Sequence, residues 1–97
     1  MLTPPAAIED MKVLYYADVR PFNSWLKKYM QKVPDLFVLV YWPEDKSYCI
    51  LGTAVGFDHW DQYTNYSFKE LQPALELPDT IFRIPDDFRW IKVQVHN

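Results

Sequence analysis

Leu36-Phe37-Val38-Leu39-Val40-Tyr41-Trp42 is the stretch that decides the fold. All of its residues are apolar or aromatic, so a strand here is buried on both faces and is expected to lie in the centre of a sheet. Residues 43–46 contain the turn formers Pro, Glu and Asp, and residues 47–54 are predicted to return as the hairpin partner. An antiparallel hairpin therefore forms the middle of the predicted domain.

A helix is predicted before this hairpin, beginning at Asn23 or Ser24 and ending near Val33. Pro34 ends it, because a proline disfavours the helical conformation of the residue before it. Apolar side chains recur on one face and basic or amide side chains occupy the other, so we expect the helix to dock on the sheet and expose a basic back. The apolar face has Trp25, Leu26, Tyr29, Met30 and Val33, and the basic back has Lys27, Lys28, Gln31 and Lys32.

The first element of the chain has two interpretations. Thr3 before Pro4-Pro5, with acids at Glu9-Asp10, is typical of a helix start, because a capping hydroxyl precedes prolines and acids lie near the positive end of the helix dipole. Residues 11–17 instead alternate as a strand does, and Val13-Leu14-Tyr15-Tyr16 favours β structure. We favour the strand over 11–17 and keep the helix as the alternative.

A second, short helix is predicted in the last third of the chain. Ser67 can cap a helix that starts at Phe68, and Glu70 can reach back to complete a capping box. Pro73 lies inside this helix and Pro78 follows it, so the helix is expected to be short or kinked.

Residues 80–84 and 88–95 are predicted to form a final hairpin across the turn at 85–87. The order becomes β-α-β-β-α-β-β, an α+β fold with a mainly antiparallel sheet of about four to five strands and one or two helices on one face. Because 97 residues leave no room for a second core, residues 1–97 are expected to form a single α+β domain.

The composition of the chain disfavours several classes of function. A net charge of −3 disfavours nucleic-acid binding, which needs a basic footprint to displace counterions. The single cysteine excludes an intramolecular disulfide and a cysteine-based zinc site. The chain has neither an apolar run of membrane-spanning length nor the pattern of a signal peptide, so we expect no membrane partner and a location in the cytoplasm of a cell or an infected host.

Residues 57–66 are the strongest functional signal, and we call them the aromatic–acidic segment. They carry four aromatic rings, one histidine and two aspartates, and no Lys or Arg lies between Lys46 and Lys69. In a helix, Trp60, Tyr63 and Tyr66 would share one face inside a polar rim, which is the layout of a protein-binding hot spot. Alternatively, the rings cover the core. Trp42 and Trp90 are second candidates, and the predicted contact surface is Asp58, His59, Trp60, Asp61, Tyr63 and Tyr66.

The sequence gives little support for a catalytic site or a metal site. Cys49 with His59 and an aspartate is the available nucleophile-and-base set, but Cys49 lies within a predicted strand, where a small buried thiol is ordinary. Asp58, His59 and Asp61 could offer ligands to a divalent ion, although adjacent residues rarely converge on one metal. We therefore predict no catalytic residue, no metal site and no cofactor.

The function favoured by the sequence is that of a non-enzymatic protein-binding modulator or inhibitor of a larger macromolecule, whose partner has a basic surface. Phage antagonists of host defence and bacterial immunity proteins against toxins offer an analogy of size and composition alone. One alternative is a structural subunit that forms a homodimer through edge strands of the C-terminal hairpin. Another is a small enzyme or ligand-binding domain that uses Cys49 and His59.

Overall fold

The computed structural model describes residues 3–63 and 67–94. In these residues the fold is a small α+β domain built on one antiparallel sheet, as predicted. The strand order is β1-β2-β3-β4-β5, and β6 pairs with the same edge of β2 as β1 does. The strands are β1 (Ala7–Ile8), β2 (Met11–Asp18), β3 (Leu36–Trp42), β4 (Ser47–Thr53), β5 (Asp61–Gln62) and β6 (Ile91–Lys92).

The predicted central hairpin is confirmed. β3 and β4 pair without interruption from Leu36 opposite Thr53 to Trp42 opposite Ser47. The first five residues of β3 are fully buried, because β2 and β4 flank the strand and apolar groups pack on both of its faces. Trp42, at the end of the strand, is 39% exposed.

The first long element is a strand, which settles the choice between helix and strand at residues 11–17. Its pairing with β3 shifts register between Val13 and Tyr15, so Leu14 forms a bulge. The carbonyl of Leu14 accepts a hydrogen bond from the Val93 amide at 2.9 Å. The bulge also explains why Val13 and Tyr16 share one buried cluster although three positions separate them.

The predicted helix over residues 23–33 is wrong in length. A 3₁₀ turn at Arg20–Phe22 leads into α1, which covers only Asn23–Leu26. Asp35 is fixed to the sheet by two backbone hydrogen bonds: its carbonyl accepts from the Val19 amide at 3.0 Å, and its amide donates to the Thr53 carbonyl at 2.9 Å. The chain after α1 therefore has to return to the sheet, and this tertiary requirement overrides the helical periodicity.

The second predicted helix begins later than expected. Phe68 is bound to Tyr48 of β4 by two backbone hydrogen bonds, of 2.7 and 2.8 Å, which keep it extended. Helix α2 then covers Leu71–Leu77. Pro73 is tolerated because it lies in the first turn, where backbone amides have no partner within the helix.

The final hairpin is a wrong prediction. Instead of a strand over 80–84, residues Pro78–Phe82 form one π-helical turn that continues α2 and ends at Arg83, whose φ is 49°. From the predicted strand over 88–95, only Ile91–Lys92 pair in the described residues, and they pair with β2. The hairpin edge that was expected to join two copies in a homodimer is therefore not formed by residues 80–94.

The sheet has two buried faces of different construction. The first face lies under α1, α2 and the π turn, so the helices pack on one side of the sheet as predicted. The second face has no helix over it in the described part of the chain, and its apolar residues are covered by the curl of the sheet and by Phe57 and Trp60. The second-face cluster contains Ile8, Val13, Tyr16, Leu36, Val38, Val40, Cys49 and Leu51.

Candidate functional site

The aromatic–acidic segment is not helical where the structure describes it. Asp61–Gln62 forms β5 and pairs with β4, with Gln62 opposite Leu51 and Asp61 opposite Gly52. Because side chains alternate along a strand, Trp60 and Gln62 lie on the second face, whereas Asp61 and Tyr63 lie on the first. The single aromatic face that a helix would create is therefore absent at residues 60–63, and Tyr66 lies outside the described residues.

Tyr63 packs into the first face of the sheet. Its ring contacts that of Phe37 edge to face, with centroids 5.7 Å apart, and its hydroxyl donates to the Lys32 carbonyl at 3.2 Å. Burial, assisted by the nearby charge of Asp61, raises the pKa of Tyr63. The contacts of this side chain are those of a core residue.

Trp60 packs on the second face instead. Its ring stacks on Phe57 with centroids 5.9 Å apart, and both rings lie against the second-face cluster. The Thr53 hydroxyl donates to the His59 carbonyl at 2.7 Å and so ties this loop to the end of β4. Trp60 therefore stands, partly exposed, at the edge of an otherwise buried apolar surface.

The polar side chains of the segment form an exposed cluster. The Asp61 carboxylate lies 2.9 Å from Nε2 of His59 and 3.4 Å from Nζ of Lys32. The His59 side chain is 72% exposed, so these contacts are open to solvent and contribute little to stability. Within residues 3–63 and 67–94, no group of three or more His, Cys, Asp or Glu side chains is arranged to hold a metal ion.

A groove of about 910 Å³ opens where the two edges of the curled sheet approach each other. The β1–β2 hairpin lies on one side of it, and the loop before β5 lies on the other. The groove is lined by polar and apolar groups in similar measure, and second-face side chains form most of its apolar floor. The floor residues are Ile8, Met11, Trp42, Cys49, Leu51 and Trp60.

Four acidic residues, which we call the rim, line the groove together with this apolar floor, and we call the whole feature the acidic groove. Glu9 and Asp10 come from the β1–β2 turn, Glu44 from the β3–β4 turn, and Asp58 from the loop before β5. His59 also lines the groove, with its imidazole against Asp61, and no Lys or Arg is among the described residues that line the groove. Three separate parts of the chain therefore bring acidic residues to one groove.

The rim carboxylates form no ion pair within the described chain. The ion pairs there involve Asp18, Asp45 and Asp61, and none includes a carboxylate of the groove rim. Like charges around a low-dielectric floor concentrate the field at the opening and attract cations. Glu9, in the β1–β2 turn at the groove, has a positive φ of 55°.

Cys49 and His59, the pair considered for nucleophilic chemistry, both line this groove, and the His59 ring contacts Asp61. Burial raises the pKa of the Cys49 thiol, and the side chain is only 5% exposed. A catalytic cysteine requires the opposite, a lowered pKa that keeps the thiolate populated. The environment of Cys49 is that of a structural thiol.

The sequence predicts only some of the residues that line this groove. Asp58, His59 and Trp60 were predicted as contact residues, and Trp42 was a second candidate. Glu9, Asp10 and Glu44 were missed, because acids in turns are ordinary and only the curl of the sheet brings the turns together. Trp90, the other second candidate, donates its indole N–H to the Leu75 carbonyl at 2.9 Å and packs on Phe88 instead.

In the described part of the chain, no helix is both long and apolar enough to span a bilayer. Comparison of the chain with protein-family models, with curated proteins and with solved structures gave no match.

Proposed function

We propose that this chain is a non-enzymatic protein-binding module whose acidic groove receives a basic, partly apolar segment of a larger partner and thereby modulates it. One observation carries the proposal: a groove whose lining joins an apolar floor to four acidic residues that have no ion-pair partner in the described chain. A segment with lysine or arginine beside apolar side chains complements both features.

The floor and the rim have separate roles in this proposal. Trp42, 39% exposed, and Trp60 offer large rigid rings that bury area at little entropic cost, so they supply affinity. Glu9, Glu44 and Asp58 are exposed and supply long-range attraction, which mainly raises the association rate and selects a basic partner. Binding is therefore expected to weaken as salt concentration rises.

The state of Cys49 supports the non-enzymatic part of the proposal. Its thiol is buried, and desolvation raises its pKa, so the thiolate that covalent chemistry needs is disfavoured. His59 is exposed, and its ring contacts Asp61 rather than a nucleophile.

A small-molecule ligand is the second candidate occupant. The groove volume of about 910 Å³ lies within the range of about 300–1,000 Å³ typical of small-molecule sites. A cationic amphiphile would suit the same floor and rim. This candidate differs from the first in one respect: it predicts binding without a stoichiometric protein partner.

The test compares two triple variants of equal charge change. Glu9→Gln/Glu44→Gln/Asp58→Asn neutralises the groove rim, and Asp79→Asn/Asp86→Asn/Asp87→Asn neutralises exposed carboxylates elsewhere. Tagged wild-type protein and both variants are used in parallel affinity captures, followed by titration of the isolated partner. Circular dichroism checks that each variant is folded.

The proposal expects one stoichiometric partner with a basic surface, captured by the wild type and the control variant but not by the rim variant. In titration, the rim variant should bind at least about tenfold more weakly. Equal capture by all three proteins would show that the groove is not the binding site. Absence of any specific partner would favour the small-molecule alternative.

A further inference from the structure

A second charged surface lies on the other side of the sheet from the acidic groove. Phe82 stacks on Phe37 of the first face, and Phe82 is in turn covered by Tyr29 and by Trp25, whose indole N–H donates to the Phe82 carbonyl at 2.7 Å. These outer rings and their neighbours face away from the second face. These contacts join residues 25–29 to residues 81–83, and we call the exposed and half-exposed residues of the two adjoining segments the basic–aromatic patch: Trp25, Lys27, Lys28, Tyr29, Ile81 and Arg83.

This patch combines exposed apolar groups with cations. Tyr29 is 41% exposed and Ile81 is 39% exposed, which is unusual for large apolar side chains in this domain. The ammonium of Lys28 lies 4.1 Å from the centre of the Trp25 ring, a cation–π contact that leaves its charge at the surface. In the described chain, neither Lys28 nor Arg83 is part of an ion pair.

The patch therefore has the chemistry that the acidic groove requires, and the two surfaces lie on opposite sides of one molecule. A chain cannot fill its own groove with its own patch, so contact between them has to join separate copies. We propose that the basic–aromatic patch of a second copy of this chain occupies the acidic groove. This inference rests on the proposed function and names a partner for the same site.

Such a contact is heterologous, because it joins two different surfaces. Each copy that docks still offers a free groove at one end and a free patch at the other, so assembly continues as open chains or closes into a ring. Association is expected to grow with protein concentration and to weaken with salt, since exposed charges are screened within about 10 Å at moderate ionic strength. A partner with a more basic surface would then displace the second copy from the groove.

Two triple variants that each disable one surface test the geometry. The rim variant, Glu9→Gln/Glu44→Gln/Asp58→Asn, keeps an intact patch. The patch variant, Lys27→Gln/Lys28→Gln/Arg83→Gln, keeps an intact groove. Lys12→Gln/Lys46→Gln/Lys92→Gln is the control for the loss of three exposed cations, and sedimentation velocity at low salt reports the size of each species.

Head-to-tail docking predicts that the wild type and the control associate with rising concentration and that each disabled variant alone is at least about tenfold weaker. A mixture of the rim and patch variants should give a one-to-one heterodimer and nothing larger, because one intact groove and one intact patch remain. A patch variant that still dimerises alone would overturn the proposal, and so would a mixture that stays monomeric.

Zero-length carbodiimide cross-linking of the wild type tests the contact even if a variant fails to fold. A mixture of isotope-labelled and unlabelled protein identifies links between copies. The proposal expects Lys27 or Lys28 joined to Glu9, Asp10, Glu44 or Asp58. Intermolecular links that avoid these carboxylates, or a wild type that is monomeric at every concentration, would contradict it.

The two proposals can fail separately. If the wild type is monomeric but the rim variant still loses a different protein partner, self-docking is wrong and the protein-binding function stands. If the wild type self-associates through the groove and no other partner is captured, the chain is an assembly subunit. If neither occurs, both proposals are overturned.

Discussion

Trp60 and Tyr63 lie on opposite faces of the sheet, although only three positions separate them. Trp60 packs with Phe57 on the second-face cluster, and Tyr63 packs with Phe37 on the first face. The short strand β5 between them causes this separation, since its pairing with β4 imposes alternation. One segment therefore completes a core on one side and borders the acidic groove on the other.

Tyr63→Ala should lower the free energy of unfolding by about 2–4 kcal/mol, because it removes a ring packed against Phe37. Tyr63→Phe removes only the hydrogen bond to the Lys32 carbonyl and should cost about 1 kcal/mol or less. Urea unfolding measures both. A Tyr63→Ala variant as stable as wild type would mean that the ring is not part of the core.

Gly52→Ala should destabilise the domain by about 1–3 kcal/mol through overpacking. A Cβ at this position would collide with Cε2 of Tyr63 and lie 2.9 Å from Cβ of Pro34. Unfolding of Gly52→Ala is compared with that of Gly52→Ala/Tyr63→Ala in a double-mutant cycle. The cost of the alanine should shrink when the tyrosine ring is absent; strictly additive effects would argue against this contact.

The fold was predictable where local sequence and tertiary packing agree. Both faces of the all-apolar strand β3 can be buried only if it lies between two other strands with a core on each side of the sheet. The central hairpin therefore followed directly from its residues. The predicted length of helix α1 was wrong, because the backbone hydrogen bonds of Asp35 require the chain to return early to the sheet. The predicted pairing of residues 91–92 with residues 80–84 was also wrong. Residues 91–92 instead pair with the free edge of β2, which is distant in sequence.

The site was predictable only in part for a related reason. The aromatic–acidic segment had a recognisable composition, but the face shown by each ring depends on whether the segment is a helix or a strand. Trp60, which borders the groove, fits the interpretation as a contact surface, and Tyr63, which packs against Phe37, fits the interpretation as core cover. Glu9 and Glu44 belong to the groove only because the sheet curls, which no local pattern indicates.

Acid should destabilise the domain partly through Asp18. Side-chain hydrogen bonds from Arg20, at 2.9 and 3.1 Å from Nε, lower the pKa of Asp18 below its usual value of about 3.9. The folded state then binds fewer protons than the unfolded state, so this stabilisation is present above about pH 4 and is lost as pH falls through the lowered pKa. In Asp18→Asn and in Arg20→Gln, the free energy of unfolding should therefore fall less steeply than in the wild type as pH is lowered below about 4. A fall as steep as that of the wild type would contradict this.

Cys49 should resist alkylation in the folded protein. Burial raises its thiol pKa and covers the side chain, so iodoacetamide should react at least about tenfold more slowly than in urea-unfolded protein. Mass spectrometry follows the rate at neutral pH. Fast labelling of the native protein, already at its maximal rate near neutral pH, would instead indicate an activated thiolate and revive the enzymatic alternative.

Hydrogen exchange of the domain with and without its captured partner tests the central claim most directly, because it locates the binding surface without any mutation. The acidic groove predicts slower exchange on binding at Ile8–Met11 of the β1–β2 hairpin, around Glu44, and at residues 58–62. Exchange in α2 should be unchanged. Protection confined to α2 and the π turn, with the groove unaffected, would contradict the assignment of the acidic groove as the partner site.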